Sequence, residues 1–361
     1  MKRNFPWLAL LFAIIVGGVN SGSLSAQEGQ TTRLKVNAAE IEIAGRVQTQ
    51  INTTSAESEP AMEMLLRRVR LEARVRVNEL VSGRVQPDFA GDRVSLKDAY
   101  LRLDFAPQLQ MIAGKAHRPF SLIEQVSSVR VLPVERGVRL RGVSAQDQYA
   151  IVSGLAYSDR DVGVQLLGSF ADLPFRPGYQ AGFFAGPLQR QVGNENSYQL
   201  AARATIQPVE RLRLGAAVSR RDFARPAPDR PSGWHLDQGS AYSLDLQYGS
   251  FAPGLHLIGE IAFGDFDPFA GDSFQGAQGW LAYRTAPQGR VSAIEPIFRA
   301  SYGSVHRGDP LVPDPGGLLL TPGINLYLGG LNRVMLNYDL WDPLETGRRE
   351  GGWKMQFQLV F

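Results

Sequence analysis

Apolar and polar residues alternate with a period of two along most of the chain. In the final stretch, Trp353, Met355, Phe357, Leu359 and Phe361 share one side of an extended chain. Lys354, Gln356 and Gln358 share the other, and only Val360 breaks the polar set. Successive side chains of a strand point to opposite faces, so this is a strand with one greasy and one wet face. From Arg68 to Asn78, Val69, Leu71, Ala73, Val75 and Val77 alternate with Arg68, Arg70, Glu72, Arg74, Arg76 and Asn78. A helical period of 3.6 would scatter those arginines around an axis. The same reading predicts sixteen strands, near 40–51, 68–78, 83–90, 97–105, 108–117, 160–168, 177–186, 197–207, 210–219, 241–248, 255–264, 275–284, 291–302, 320–328, 331–340 and 352–361.

The connections tend to alternate between long and short. Residues 52–66, 118–159, 187–196, 220–240 and 303–319 are long; Val81-Ser82, Ala106-Pro107, Pro208-Val209 and Gly329-Gly330 are tight. This rhythm predicts an all-β fold, a transmembrane antiparallel up-and-down barrel with both chain ends in the periplasm. A strand of about nine residues, rising roughly 3.3 Å each and tilted near 40°, spans about 23 Å, the height of an outer-membrane apolar band. A closed sheet satisfies its own backbone against the lipid bilayer, and sixteen strands leave a watery interior. Phe361 reads as the barrel-closing carboxyl-terminal signal recognised by the barrel-assembly machinery.

Lys2 and Arg3, the apolar run Leu8 to Val16 and the small residues up to Ala26 predict a secretory signal peptide over 1–26. Residues 27–361 then form one barrel domain in the bacterial outer membrane. No later segment offers the roughly 18 continuous apolar residues of a spanning helix. The chain has no cysteine, so disulfides and thiolate metal sites are excluded. Its formal charge is +3, and removing Lys2 and Arg3 leaves about +1, so bulk charge predicts no nucleic-acid partner. The cations are nearly all arginine, with only five lysines.

The arginine row Arg68, Arg70, Arg74 and Arg76 is the strongest chemical feature. Guanidinium stays charged and offers forked donors to phosphate or carboxylate oxygens, so such a row would guide small anions through a pore. Arg102, Arg203, Arg211, Arg213 and Arg299 are also predicted inward. Acidic residues such as Glu42, Asp88, Asp98, Asp104, Asp245, Glu260 and Glu295 could balance them across the lumen. The segment 118–159 is the third outer loop by this count, long enough to fold into the lumen and constrict it. Lys115, Arg118, Arg130, Arg136 and Arg139 are its candidate constriction cations. The histidines His117, His235, His256 and His306 have no metal spacing, and His256 near Glu260 is the one pair worth testing for hydrolysis. No nucleotide loop or other cofactor motif is present, and no enzyme is expected.

From Val94 the chain reads Val94-Ser95-Leu96-Lys97-Asp98-Ala99-Tyr100-Leu101-Arg102, then Gly114-Lys115 and Arg118-Pro119-Phe120-Ser121-Leu122-Ile123-Glu124. With Glu135-Arg136, Arg160-Asp161-Val162-Gly163-Val164-Gln165-Leu166, Glu295 with Arg299, Gly323-Ile324-Asn325-Leu326-Tyr327 and Asn337-Tyr338, this resembles the phosphate-selective porin O and P family. The resemblance runs through nearly all of the chain after residue 26. It implies a homotrimeric sixteen-stranded channel whose best-known relatives pass phosphate or polyphosphate over arginine and lysine. The chain departs from that pattern in its shortage of lysine and in Ala185-Gly186, where many relatives have Asn-Gly. The expectation is therefore a porin for passive diffusion of small solutes that prefers anions. The alternative is a barrel with a structural or adhesive surface role.

Overall fold

The computed structural model describes residues 32–36, 39–56, 61–91, 93–188, 197–227, 233–286, 289–345 and 347–361. The expected signal peptide over 1–26 lies outside the described residues. In chain order the elements are β1 (Thr32–Val36), β2 (Ala39–Thr54), β3 (Ala61–Arg76), β4 (Val81–Asp88), β5 (Ser95–Ala106), β6 (Leu109–His117), α1 (Leu122–Gln125), α2 (Gln148–Gly154), β7 (Arg160–Ser169), β8 (Gly178–Phe184), β9 (Gln199–Val209), β10 (Leu212–Pro226), β11 (Trp234–Tyr248), β12 (Gly254–Asp267), β13 (Asp272–Arg284), β14 (Ala293–His306), β15 (Gly316–Gly329), β16 (Asn332–Pro343) and β17 (Glu350–Val360).

Strands β2 to β17 each pair antiparallel with the next, and β17 returns to β2, with Val360 opposite Arg46 and Lys354 opposite Asn52. The result is the closed sixteen-stranded barrel that the alternation predicted. The ladder closes on Phe361, whose N–H donates to the Gly45 carbonyl at 3.1 Å while the Gly45 N–H donates to the Phe361 carbonyl at 2.8 Å. The Phe361 ring lies where a Cβ on residue 45 would stand, so the glycine makes room for the terminal aromatic.

Two features depart from expectation. Strand β1 was not foreseen. It pairs with Ala39 to Ile43 of β2, occupying in tandem with β17 the same edge of that strand. Three of the long outer connections are also shorter than predicted, because their strands overrun the apolar band. Residues 52–66 reduce to a connection of 55–60, and 220–240 to one of 227–233. A backbone ladder needs no apolar face once it has left the membrane, so polar residues such as Asn52, Thr53 and Thr54 and Arg220, Arg221 and Asp222 hid part of these extensions. The connection between β8 and β9 covers 185–198, and that between β6 and β7 keeps its predicted length.

That connection, 118–159, packs inside the barrel. Phe120, Ile151, Val152 and Tyr157 meet Ala217, Ala241, Ala262, Phe274 and Val305 of the inner wall. Ile123, Val126, Val131 and Leu132 meet Ile258, Trp280, Ala282 and Ile297. Leu140 meets Leu319 and Trp341. The molecule's apolar core therefore lies between the loop and strands β10 to β16. At about 25 cal/mol per Å² of apolar surface removed from water, burial of this size holds the loop against its ordering entropy. Helix α2 comes close because the wall beneath it is bare. A Cβ on Gly303 would run into the Gln146 carbonyl, and one on Gly276 would meet the Gln148 side chain at 2.8 Å.

Candidate pore and its charged wall

With the apolar side of the loop docked on β10 to β16, its other side faces the wall of strands β2 to β7 and bonds β2 through Ser128 and Glu135. Two register slips shape this wall. Gln48 pairs with Arg68 but Thr49 pairs with Leu66, leaving Arg67 as an extra residue in β3. Gln86 pairs with Asp98 but Pro87 pairs with Leu96, leaving Lys97 extra in β5. A bulge re-aims a side chain and lets consecutive residues share a face. Arg67 and Arg68 thus both reach the lumen, as do Lys97 and Asp98.

Loop and wall enclose a cavity of about 270 Å³ lined by Arg46, Arg67, Arg68, Arg70, Arg84, Lys97, Arg136 and Arg160, together with His117, Glu124, Tyr149 and Asp159. Carboxylates hold the arginines in place. Glu72 lies 2.6 Å from Arg84, 2.6 Å from Arg74 and 3.3 Å from Arg46. Asp98 meets Arg160 at 2.6 Å and Arg84 at 3.3 Å. Asp88 receives Nε of Arg70 at 2.8 Å. Glu135 takes Nη2 of Arg67 at 3.0 Å and lies 3.7 Å from Arg68. Glu124 stands 3.9 Å from both Arg136 and Arg160, and accepts the Tyr149 hydroxyl at 2.7 Å. Eight cationic side chains thus meet six carboxylates, counting Asp159, which leaves a positive excess of two. Lys97 alone among the eight has no ion pair within the described residues. Glu135 belongs to the loop. Burial opposes its ionisation, but Arg67 and Arg68 hold it well below the usual carboxylate range.

The structure separates the predicted arginines. Arg68 and Arg70 line the cavity. Arg74, Arg76 and Arg102 line a different chamber of about 420 Å³ at the short-turn end, with Glu40, Glu42 and Asp104. Arg102 there pairs with Asp104 at 2.8 Å. Arg203 grips Asp245 with both Nη atoms, one at 2.6 Å, and Arg213 shares with it a chamber on the β6–β11 side of the loop tip. Arg299 was expected on an open wall. It is instead 0% exposed beneath the loop, donating to Thr321 at 2.6 Å, Asp339 at 2.8 Å and the Glu135 carbonyl at 2.7 Å. Arg211 occupies the β9–β10 turn with φ 72°, stacked over Tyr248, and is no part of an inward row.

The loop candidates divide as well. Lys115 belongs to β6 and is not in the loop. It sits opposite Ala99 and Val162, and Val162 is on the outward face, so Lys115 points away from the lumen. Arg118 is buried against Asp161 at 3.1 Å and the Ser158 carbonyl. Arg136 binds the Ile123 carbonyl at 2.9 Å and the Val126 carbonyl at 2.5 Å, stitching the loop to itself. Arg130 is exposed, 5.5 Å above the Phe251 ring, and Arg139 is exposed near the loop's middle. His256 does not approach Glu260 as a hydrolytic pair would. Its Nε2 lies 2.7 Å from the Ala252 carbonyl and its Nδ1 3.8 Å from Glu295. Glu260 instead anchors the loop, accepting from Ser121 Oγ and the Ile123 N–H at 3.1 Å each and from Gln148 at 2.6 Å.

Sequence reasoning missed a polar anchor under the loop. Glu295 accepts from Arg284 at 3.1 Å and from Asn325 and Tyr327 at 2.9 Å each. Asn325 and Arg333 in turn donate to the Leu132 and Val131 carbonyls at 3.0 and 2.7 Å. Sequence reasoning also missed the cavity roles of Arg46, Arg67, Arg84, Lys97 and Arg160. Their placement depends on register and bulges, although Arg46 lies on the polar face of a predicted strand.

The overall shape recurs in solved barrels. An anion-selective porin from Comamonas acidovorans superposes with a TM-score of 0.63 at 12% identity, covering 90% of this chain and 100% of that one. OmpF of Salmonella typhi, in complex with daunomycin, gives 0.60 at 11% identity over 91% and 100%. A trimer form of OmpT from Vibrio cholerae gives 0.58 at 10% identity over 90% and 100%. At these identities the likeness shows the fold. No curated protein matches the chain. The profile of the phosphate-selective porin O and P family matches residues 41–242, which span the whole cationic wall and the inward loop. The chain therefore belongs to the phosphate-selective porin O and P family of outer-membrane porins.

Proposed function

We propose that this porin is a passive diffusion channel with a preference for small anions, phosphate or polyphosphate among them, and that it works as a homotrimer. The observation that carries the reading is the cavity between loop and wall, lined by eight cations and two carboxylates, with four more carboxylates paired to the arginines behind the lining. An anion about 5 Å from one uncompensated cation gains roughly 1–3 kcal/mol across the range from bulk-water to near-surface dielectric. That suffices for about tenfold discrimination against a cation of equal size. The paired arginines keep their charges fixed in place, so no reorganisation accompanies a passing ion. Lys97 brings a flexible ammonium that has no ion pair among the described residues. The family's name supports phosphate as a solute, and the trimeric barrel from Vibrio cholerae supports the assembly. Chloride conductance of the purified porin in a planar bilayer, with phosphate added at fixed ionic strength, tests the solute. Conductance should fall with a saturable dependence on phosphate. A conductance that follows bulk conductivity alone would remove phosphate from the proposal.

A further inference from the structure

We infer that the chamber on the β6–β11 side of the loop tip is a binding site for small organic anions that carry several hydroxyl groups, namely sugar acids or sugar phosphates. The inference rests on the proposed anion channel and names a solute class for it.

The chamber measures about 730 Å³, and no aspartate or glutamate among the described residues lines it. It therefore differs from the cavity at the wall, where the arginines already have carboxylate partners. Arg130, Arg176 and Arg213 reach it from three separate elements. Arg130 comes from the loop tip, held 5.5 Å over Phe251. Arg213 comes from β10. Arg176 comes from the β7–β8 turn, where Phe175 and Arg176 adopt φ values of 61° and 42°. Non-glycine residues seldom adopt that conformation, and structure must hold them there. The Gln207 N–H does so by donating to the Phe175 carbonyl at 2.6 Å. Arg203, also on the rim, is occupied by Asp245.

The rest of the lining favours hydroxyls over a bare ion. Gln180, Gln207 and Gln247 face the chamber, and their side-chain amides make no hydrogen bond within the described residues. An amide offers one acceptor and a pair of donors, as a run of sugar hydroxyls requires. Phosphate near neutral pH keeps only one or two P–OH donors, fewer than the run of hydroxyls that three amide oxygens can accept from. The volume falls in the range typical of small-molecule sites and exceeds what a single inorganic anion fills.

The test is a ligand series on the intact porin in a bilayer, read as the half-blocking concentration for chloride current. Gluconate and glucose 6-phosphate should block at concentrations about tenfold below acetate and inorganic phosphate respectively, as a few added neutral hydrogen bonds would give. Glucose, which lacks the charge, should block more weakly than gluconate. Block by gluconate alone assigns a carboxylate ligand, and block by glucose 6-phosphate alone a phosphate ester; either supports the site. Gln180→Ala with Gln247→Ala should raise the half-blocking concentration for gluconate about fivefold, and by more than for acetate. Equal block by gluconate and acetate, and by glucose 6-phosphate and phosphate, in a channel that still prefers chloride over potassium would overturn this inference alone. A channel that prefers potassium would overturn the anion channel along with it.

Discussion

Glu135 is the residue on which loop and wall most depend. Its carboxylate holds Arg67 and Arg68, and its carbonyl holds Arg299. Glu135→Gln would leave two arginines without their partner in a largely buried place. We expect a loss of about 3 kcal/mol in detergent, seen as a lower thermal midpoint by circular dichroism. Because the folded protein holds this carboxyl below its ordinary value of 4.5, its contribution is complete above that pH and fades as pH falls toward the depressed value. The native protein should therefore lose stability in acid more steeply than the Gln variant. Parallel acid profiles would remove the latch. Arg70→Ala acts differently. It deletes a cavity cation and leaves Asp88 unpaired, so anion selectivity in a salt gradient should fall. Unchanged selectivity would make Arg70 a structural residue.

Much at this scale was legible in the sequence, and some was not. Period-two alternation places Arg68 and Arg70 inward because nothing disturbs the strand between them. It cannot place Arg67 or Lys97, which reach the lumen only through bulges. Nor can it tell a free arginine from a paired one. Arg299 and Arg203 read as inward cations, yet their partners Asp339 and Asp245 come from strands whose register no local pattern gives.

At the scale of elements, the loop 118–159 behaves as a core built inside a pore. Its apolar residues found matching inward positions at Ile258, Phe274, Trp280 and Ile297. Those bulky inward side chains were the available signal. A strand that is apolar on both faces must cover its inner one. The docking of α2 depends on the bare backbone at Gly303. Gly303→Val should push the helix off the wall and let the loop move. The expected readout is a noisier single-channel current of altered amplitude, whereas a trace like that of the native channel would show that the wall yields instead.

The whole molecule closes at one seam, where Phe361 lies over Gly45. A bulky residue there would displace the terminal aromatic, so Gly45→Leu should slow barrel formation in vitro. The measure is the fraction that keeps its folded electrophoretic mobility without heating, and a native yield would contradict the fit. The sixteen-strand count and this closure were legible because membrane, lumen and turn chemistry all impose the same period. Strand β1 was not, being short and lying on an edge shared with β17. Inside this frame the loop fills one side of the lumen and, with the cationic wall, encloses the cavity.

The most direct test of that picture is the zero-current potential of the native porin between dilute and concentrated potassium chloride. An excess of fixed positive charge around the cavity between loop and wall predicts that chloride outruns potassium and the dilute side becomes negative. A dilute side that becomes positive would contradict the account.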